Sequence, residues 1–250
     1  MKQHMVSGGD AKFSAELFDE FEQTHANIFR SKLDVLYAAL TRAAPTGADG
    51  VRATGTMISV GGGTASYESA LRDEYGVMVD RIIEPSEELA VVARARGFLV
   101  DSLVIEDATI LESSTDTIFY NGSAFGFIDD ESLSEVFVKH YRQLRDSGRL
   151  VLLDVPPTSA LGIAVQSSAD QGDNSVITRA LESSWYHQGA VMKPYWRSTP
   201  WYINRLQEAG FTYKWCLQSL RSHLEYQDGS VEEPVPGYMQ GSYVALVVEK

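Results

Sequence analysis

Three consecutive glycines, Gly61, Gly62 and Gly63, break an apolar run that starts at Met57 and passes through Ser59. Glycines in series let a backbone turn sharply and approach a ligand with no Cβ in the way, and a helix starting just behind them offers N–H groups that lack intrahelical partners. The chemistry such a loop serves is recognition of a polar, nucleotide-type ligand. The same loop would also satisfy the packing of an ordinary strand-to-helix turn. Glu84 follows Gly63 by 21 residues and ends a second β-branched run. In a mononucleotide-binding unit an acid there can accept both hydrogen bonds of a ribose diol; its competing reading is a solvated acid at a strand end.

A second group with chemical capacity lies in the aromatic stretch Trp185, Tyr186, His187, Tyr195, Trp196, Trp201 and Tyr202. This density of rings outside a core run fits a substrate-pocket wall or the contact of a homodimer. His187 is the candidate catalytic proton acceptor, since its neighbours would desolvate it and hold it neutral near pH 7. A packing or surface histidine is its alternative. His140 falls on the apolar stripe of a helix and is expected to be a hydrogen-bonded core residue. Cys216 is the only cysteine, which excludes an intrachain disulfide, and no histidine pair or carboxylate cluster occurs at metal-ligand spacing. No metal is expected.

These groups need elements to hold them. The pattern places a strand at 57–60, a helix from Ser66 to Tyr75, a strand from Val77 to Ile83, and a helix from Ser86 to Arg96 with Ser86 as its cap. A third strand follows from Phe98 to Ile105, a fourth from Thr117 to Tyr120, then an amphipathic helix from Glu131 to Ser147 stopped by Gly148, and a fifth strand from Leu150 to Val155. Thr199-Pro200 opens a further helix through Ala209, and two alternating runs, Phe211 to Tyr226 and Tyr238 to Val248, form a hairpin. Ahead of all this, residues 11–43 carry helical spacing. The expected fold is therefore α/β: a Rossmann-like, doubly wound, mostly parallel sheet with a C-terminal antiparallel hairpin and an N-terminal helical cap. The cap takes residues 1–45 and the main domain 46–250, with an aromatic-rich insertion at 158–198.

With these residues in order, the chain resembles the class I S-adenosylmethionine-dependent methyltransferases over about 51–250. Ser59, Gly61, Gly63 and Ala65 align with that family's first motif. Ser59 stands where an acid commonly helps to hold the methionine end of the cofactor, and Ala65 where a third glycine is common. The resemblance implies that Ser59, Gly61, Gly62, Gly63 and Glu84 bind S-adenosylmethionine, that Asp107 meets the adenine amino group, and that the backbone N–H of Ala108 meets a ring nitrogen. Asn121, just beyond the carboxyl end of the fourth strand where open α/β sheets bind ligands, is the candidate for a polar contact near the reactive methyl, in cofactor binding and in catalysis. The resemblance also implies that the N-terminal helices cover the cleft. Phe125, with Phe127, either walls the acceptor pocket or plugs the core. The function implied is methyl transfer to a nitrogen or oxygen of a small molecule, leaving S-adenosylhomocysteine. A nicotinamide-dependent oxidoreductase and a non-catalytic S-adenosylmethionine-binding module are the alternatives, the terminal hairpin and Ala65 counting against the first.

Composition narrows the partners. Lys and Arg number 21 against 34 Asp and Glu, a net charge of −13, so the overall field repels phosphate and nucleic acid is not an expected partner. An aromatic-walled pocket in an acidic chain favours a small, partly apolar or cationic acceptor. No apolar run is long enough to cross a bilayer and the polar N-terminus lacks a signal-peptide core, so no membrane partner and a cytoplasmic location are expected.

Overall fold

The computed structural model describes residues 26–42, 55–122, 124–157, 195–219, 233–239, 241 and 243–250. Trp185, Tyr186 and His187 lie outside the described residues. So do residues 1–25 of the expected helical cap and most of the aromatic insertion.

Eight strands form one sheet: β1 (Met57–Val60), β2 (Arg81–Ile83), β3 (Val100–Asp101), β4 (Thr115–Tyr120), β5 (Leu144–Asp154), β6 (Thr212–Ser219), β7 (Val235–Pro236) and β8 (Tyr243–Glu249), in the order β3-β2-β1-β4-β5-β8-β6-β7. Strands β1 to β5 are parallel, whereas β8 runs antiparallel between β5 and β6. The expected terminal hairpin is present, with β7 a short addition at its outer edge. The strand order reverses between β1 and β4, and a ligand site in an open α/β sheet lies at that reversal, beyond the carboxyl ends of the strands.

Both faces of the sheet are covered, and the twofold alternation of strand side chains decides which residue serves which face. Helices α1 (Ala26–Arg42), α2 (Ser66–Tyr75) and α3 (Glu87–Ala95) contribute Leu33, Leu36, Leu71, Ala90 and Ala93 to a core shared with Met57, Phe119, Val151 and Val247. On the other face α4 (Asp130–Gln143) and α5 (Thr199–Glu208) bring Leu133, Phe137, Tyr202 and Leu206 against Ile58, Val60, Ile118 and Leu150. Ser86, Asp129 and Ser198 cap α3, α4 and α5 by accepting backbone N–H bonds from Leu89, Ser132 and Trp201. Among the described residues no helix is long and apolar enough to cross a membrane.

Several boundaries differ from the sequence expectation, among them the second strand, expected from Val77 and observed as Arg81–Ile83. The amphipathic helix ends at Gln143 and not at Ser147, because Leu144 already pairs with Thr115 as the first residue of β5. Gly148 therefore does not end a helix. It lies in a tight turn inside the irregular start of β5, where a Cβ would sit 2.7 Å from the Arg145 carbonyl oxygen. The third strand shrinks to Val100–Asp101, since it pairs with β2 alone and β2 itself has three residues; Ile105 belongs to the turn beyond it. Edge pairing limits a strand more than its own hydrophobic run does.

Candidate cofactor site

The glycine loop leaves β1 by continuing its ladder: the Gly61 N–H donates to the Ile83 carbonyl at 2.8 Å. Each glycine has a different reason to be one. A Cβ on Gly61 would fall 2.3 Å from that of Ala124, and on Gly62 it would fall 2.7 Å from Ile82 Cγ2. A Cβ on Gly63, at φ +57°, would meet nothing within 4 Å among the described residues. The first two let the loop pack against its own protein, and the third opens outward. Behind the loop, Arg96 donates to the Thr64 carbonyl at 2.7 Å and to the Ser66 hydroxyl at 2.6 Å, which fixes the entry into α2.

Ala65, at the expected third-glycine position, has φ 64° and ψ 31°. This is the left-handed region that glycine adopts without strain and alanine does not. The loop geometry thus remains one made for glycine, with an alanine held in it by complete burial.

Glu84 is buried at the end of β2, as its spacing predicts, and binds the loop itself. Its Oε2 accepts the Gly63 N–H at 2.9 Å and its Oε1 accepts the Ser86 N–H at 2.9 Å. A carboxylate has about four acceptor sites, so among the described residues two remain for hydroxyl donors. Burial pushes the Glu84 carboxyl above the ordinary range, the two backbone bonds pull it back, and nearby Glu68 pushes it up again.

Glu68 is the residue that motif reading passes over. It lies in the first turn of α2, completely buried. Its Oε1 accepts from the Ser59 hydroxyl at 2.5 Å and from Asn121 Nδ2 at 3.3 Å. Helix α2, not β1, thus supplies a carboxylate at the end of the first strand. Desolvation raises the Glu68 pKa, while hydrogen bonds from Ser59, its own backbone N–H and Asn121, and the charge of Lys32, lower it. Glu68 Oε2 and Asn121 Oδ1 are buried and have no hydrogen-bond partner among the described residues. The available sequence signal was an acid next to Tyr67 and three residues before Leu71, which puts it on the buried side of an amphipathic helix.

Asn121 follows β4, its N–H donating to the Val60 carbonyl at 3.1 Å, so Ser59, the glycine loop, Glu84 and Asn121 meet at the strand-order reversal. Helix α1 reaches the same place: Lys32 Nζ lies 4.0 Å from the centroid of the Tyr67 ring, which Phe29 stacks on at 4.3 Å. A Cβ on Gly122 would come within 3.0 Å of that ammonium. Asp107 is exposed in the turn after β3, and the Ala108 N–H donates to the Ile105 carbonyl at 3.2 Å.

On the opposite face, Phe125 is fully buried, edge-on to Tyr120 at 5.6 Å and to Tyr202 at 4.9 Å. Of its two readings it takes that of a core residue. Tyr195 and Trp196 are half-buried, and the Tyr195 N–H donates to the Gly126 carbonyl at 3.1 Å, which places the end of the aromatic segment beside the turn after β4. The residue that organises this segment is Arg197. Its guanidinium donates to the Phe125 carbonyl at 3.3 Å and the Ile128 carbonyl at 2.7 Å, pairs with Asp130, and sits 4.8 Å from the rings of both Tyr195 and Trp201. His140 is the hydrogen-bonded core histidine its position predicts. Gln143 Oε1 can only accept, so Nδ1 carries the proton at 2.8 Å, and the Tyr120 hydroxyl donates to Nε2 at 2.8 Å.

The arrangement defines a doubly wound α/β sheet with a nucleotide-type loop at its reversal. Comparison with solved structures specifies it further: the chain has the fold of the S-adenosylmethionine-dependent methyltransferases, as the sequence pattern leads one to expect. A methyltransferase from Thermotoga maritima, described as a possible histamine N-methyltransferase, superposes with a TM-score of 0.71 at 21% identity, covering 94% of this chain and 95% of the other. An S-adenosylmethionine-dependent methyltransferase from Mesorhizobium loti gives 0.57 at 14% identity over 87% and 100%. Geranyl diphosphate C-methyltransferase from Streptomyces coelicolor, in complex with Mg2+, geranyl diphosphate and S-adenosylhomocysteine, gives 0.57 at 15% over 97% and 86%. No family model matches the sequence, and no curated protein matches it.

Proposed function

We propose that this chain is an enzyme that transfers a methyl group from S-adenosylmethionine to a nitrogen or oxygen of a small-molecule acceptor. The observation that carries the reading is the Gly63–Glu84 hydrogen bond, which presents a buried carboxylate with spare acceptor sites beside an outward-opening glycine loop. Glu84 would bind the ribose hydroxyls, and Asp107 with the Ala108 N–H the adenine. Ala108 would share or exchange its present bond to Ile105 to do so.

When bound, the cofactor supplies an electrophilic methyl on a sulfonium. Transfer to the acceptor's lone pair would leave S-adenosylhomocysteine, and the acceptor's proton would pass to a base or to water. The protein's part is alignment, since holding the reacting atoms at about 3 to 3.5 Å lowers the barrier with no covalent intermediate. Asn121 would orient the methyl side of the site. Tyr195 and Trp196 would wall the acceptor with Trp185 and Tyr186, and His187 would take the proton from a hydroxyl acceptor. An amine can shed its proton before it binds. Phe125 supports that wall from the core. The helices of residues 1–45, through Phe29 and Lys32, would cover the cleft. The net charge of −13 and the aromatic wall favour a partly apolar or cationic acceptor, and the same aromatic segment could join two copies of the chain.

Calorimetry decides the reading. Titration with S-adenosylhomocysteine should show binding in the micromolar range, and NADH should show none. Binding of NADH without S-adenosylhomocysteine would replace the proposal with an oxidoreductase.

A further inference from the structure

Among the described residues, Glu68 Oε2 and Asn121 Oδ1 are two buried acceptors without donors, on side chains that already share one hydrogen bond at Glu68 Oε1. Leaving a buried polar atom unpaired is destabilising, and more so for a charged group. A ligand that brought its own N–H donors and a positive charge would remove that cost at both atoms together. Lys32 on α1 is the cation that Glu68 already senses, and Glu84 is the acid it acts upon. Among the described residues, Glu68 thus answers to one cation, Lys32, and to a second carboxylate, Glu84. S-Adenosylmethionine carries two cationic groups, but its sulfonium has no hydrogen to donate, whereas its α-ammonium has three.

We propose that Glu68, assisted by Asn121 Oδ1, holds the α-ammonium at the amino-acid end of the cofactor, and that Ser59 acts through Glu68 by fixing its other oxygen. This rests on the methyltransferase reading above. The serine at the end of β1 thereby gains a defined role, because its hydroxyl is short enough to admit a carboxylate from α2 into the place where a longer acid on the strand would itself stand. Gly62 serves the same purpose, since its missing side chain would otherwise lie 3.2 Å from Glu68 Oε1 and 2.7 Å from Ile82 Cγ2.

The test is a cycle of two proteins and two ligands, measured by calorimetry on the full chain. The ligands are S-adenosylhomocysteine and its deaminated analogue, in which hydrogen replaces the ammonium. The proteins are wild type and Glu68→Gln, which keeps the shape and removes the charge. Wild type should prefer S-adenosylhomocysteine by on the order of 10- to 100-fold, as a charge-assisted bond requires, and Glu68→Gln should lose most of that preference. Glu68→Gln that still discriminates as well as wild type would overturn the assignment. So would wild type binding both ligands alike, a result that needs no variant to fold. A wild-type chain that binds neither ligand fails at the methyltransferase reading itself, a distinct outcome that also removes the assignment.

Discussion

Gly63 donates its backbone N–H to Glu84 Oε2 at 2.9 Å, so the loop and the strand acid are one unit before any ligand arrives. The carboxylate that would bind a ribose also sets the shape of the loop beside it. Glu84 therefore combines a ligand role with a structural one, and the two can be separated by choosing the substitution.

Glu84→Ala removes the acceptor for Gly63, for Ser86 and for a diol. It should weaken S-adenosylhomocysteine by about 1.5 to 3 kcal/mol, roughly 10- to 150-fold, and lower the thermal midpoint. Glu84→Gln retains one amide oxygen as an acceptor and should lie between alanine and wild type in affinity. A dissociation constant unchanged in both variants would show that the acid does not meet the cofactor.

Ala65 is buried at φ 64°, a conformation costing an L-residue about 1 kcal/mol relative to glycine. Ala65→Gly should stabilise the chain by about 0.5 kcal/mol, the relief of strain being partly offset by the greater freedom of glycine in the unfolded state. Urea denaturation compares the two. A clear loss of stability would mean that the alanine methyl contributes more by packing than its backbone costs.

His140 is buried between Tyr120 and Gln143, and burial lowers its pKa to about 4, against an ordinary value of 6.5. Above pH 6.5 the ring is neutral folded and unfolded, so its full contribution is present. As pH falls toward about 4 only the unfolded chain takes up the proton, and stability is lost, by roughly 3 kcal/mol over that window. Glu68 and Glu84, whose pKa values are raised, act in the opposite sense, so the quantity to measure is the difference in slope from His140→Gln. A variant with the same dependence of stability on pH between 6.5 and 4 as wild type would sink this account.

Local chemistry made much of this protein legible from its sequence. The glycine run, the spacing to Glu84, the Ser86 cap and the alternation of the last strands follow from local pattern, and they pointed to the α/β sheet and to Glu84 beside the glycine loop. His140 was readable too, because a histidine on an apolar helical stripe must find partners. What needed the tertiary structure were relations across long separations in the chain. Leu144 left its helix to pair with Thr115, which moved the start of β5 and changed the meaning of Gly148. Arg197 found the carbonyls of Phe125 and Ile128 some seventy positions earlier. Glu68 met Asn121 only because β1 and β4 are adjacent at the strand-order reversal, so a motif showing serine in place of an acid gave no sign that a helix would return the carboxylate. A buried charge is decided by what surrounds it on all sides, and that surrounding is not contiguous in the chain.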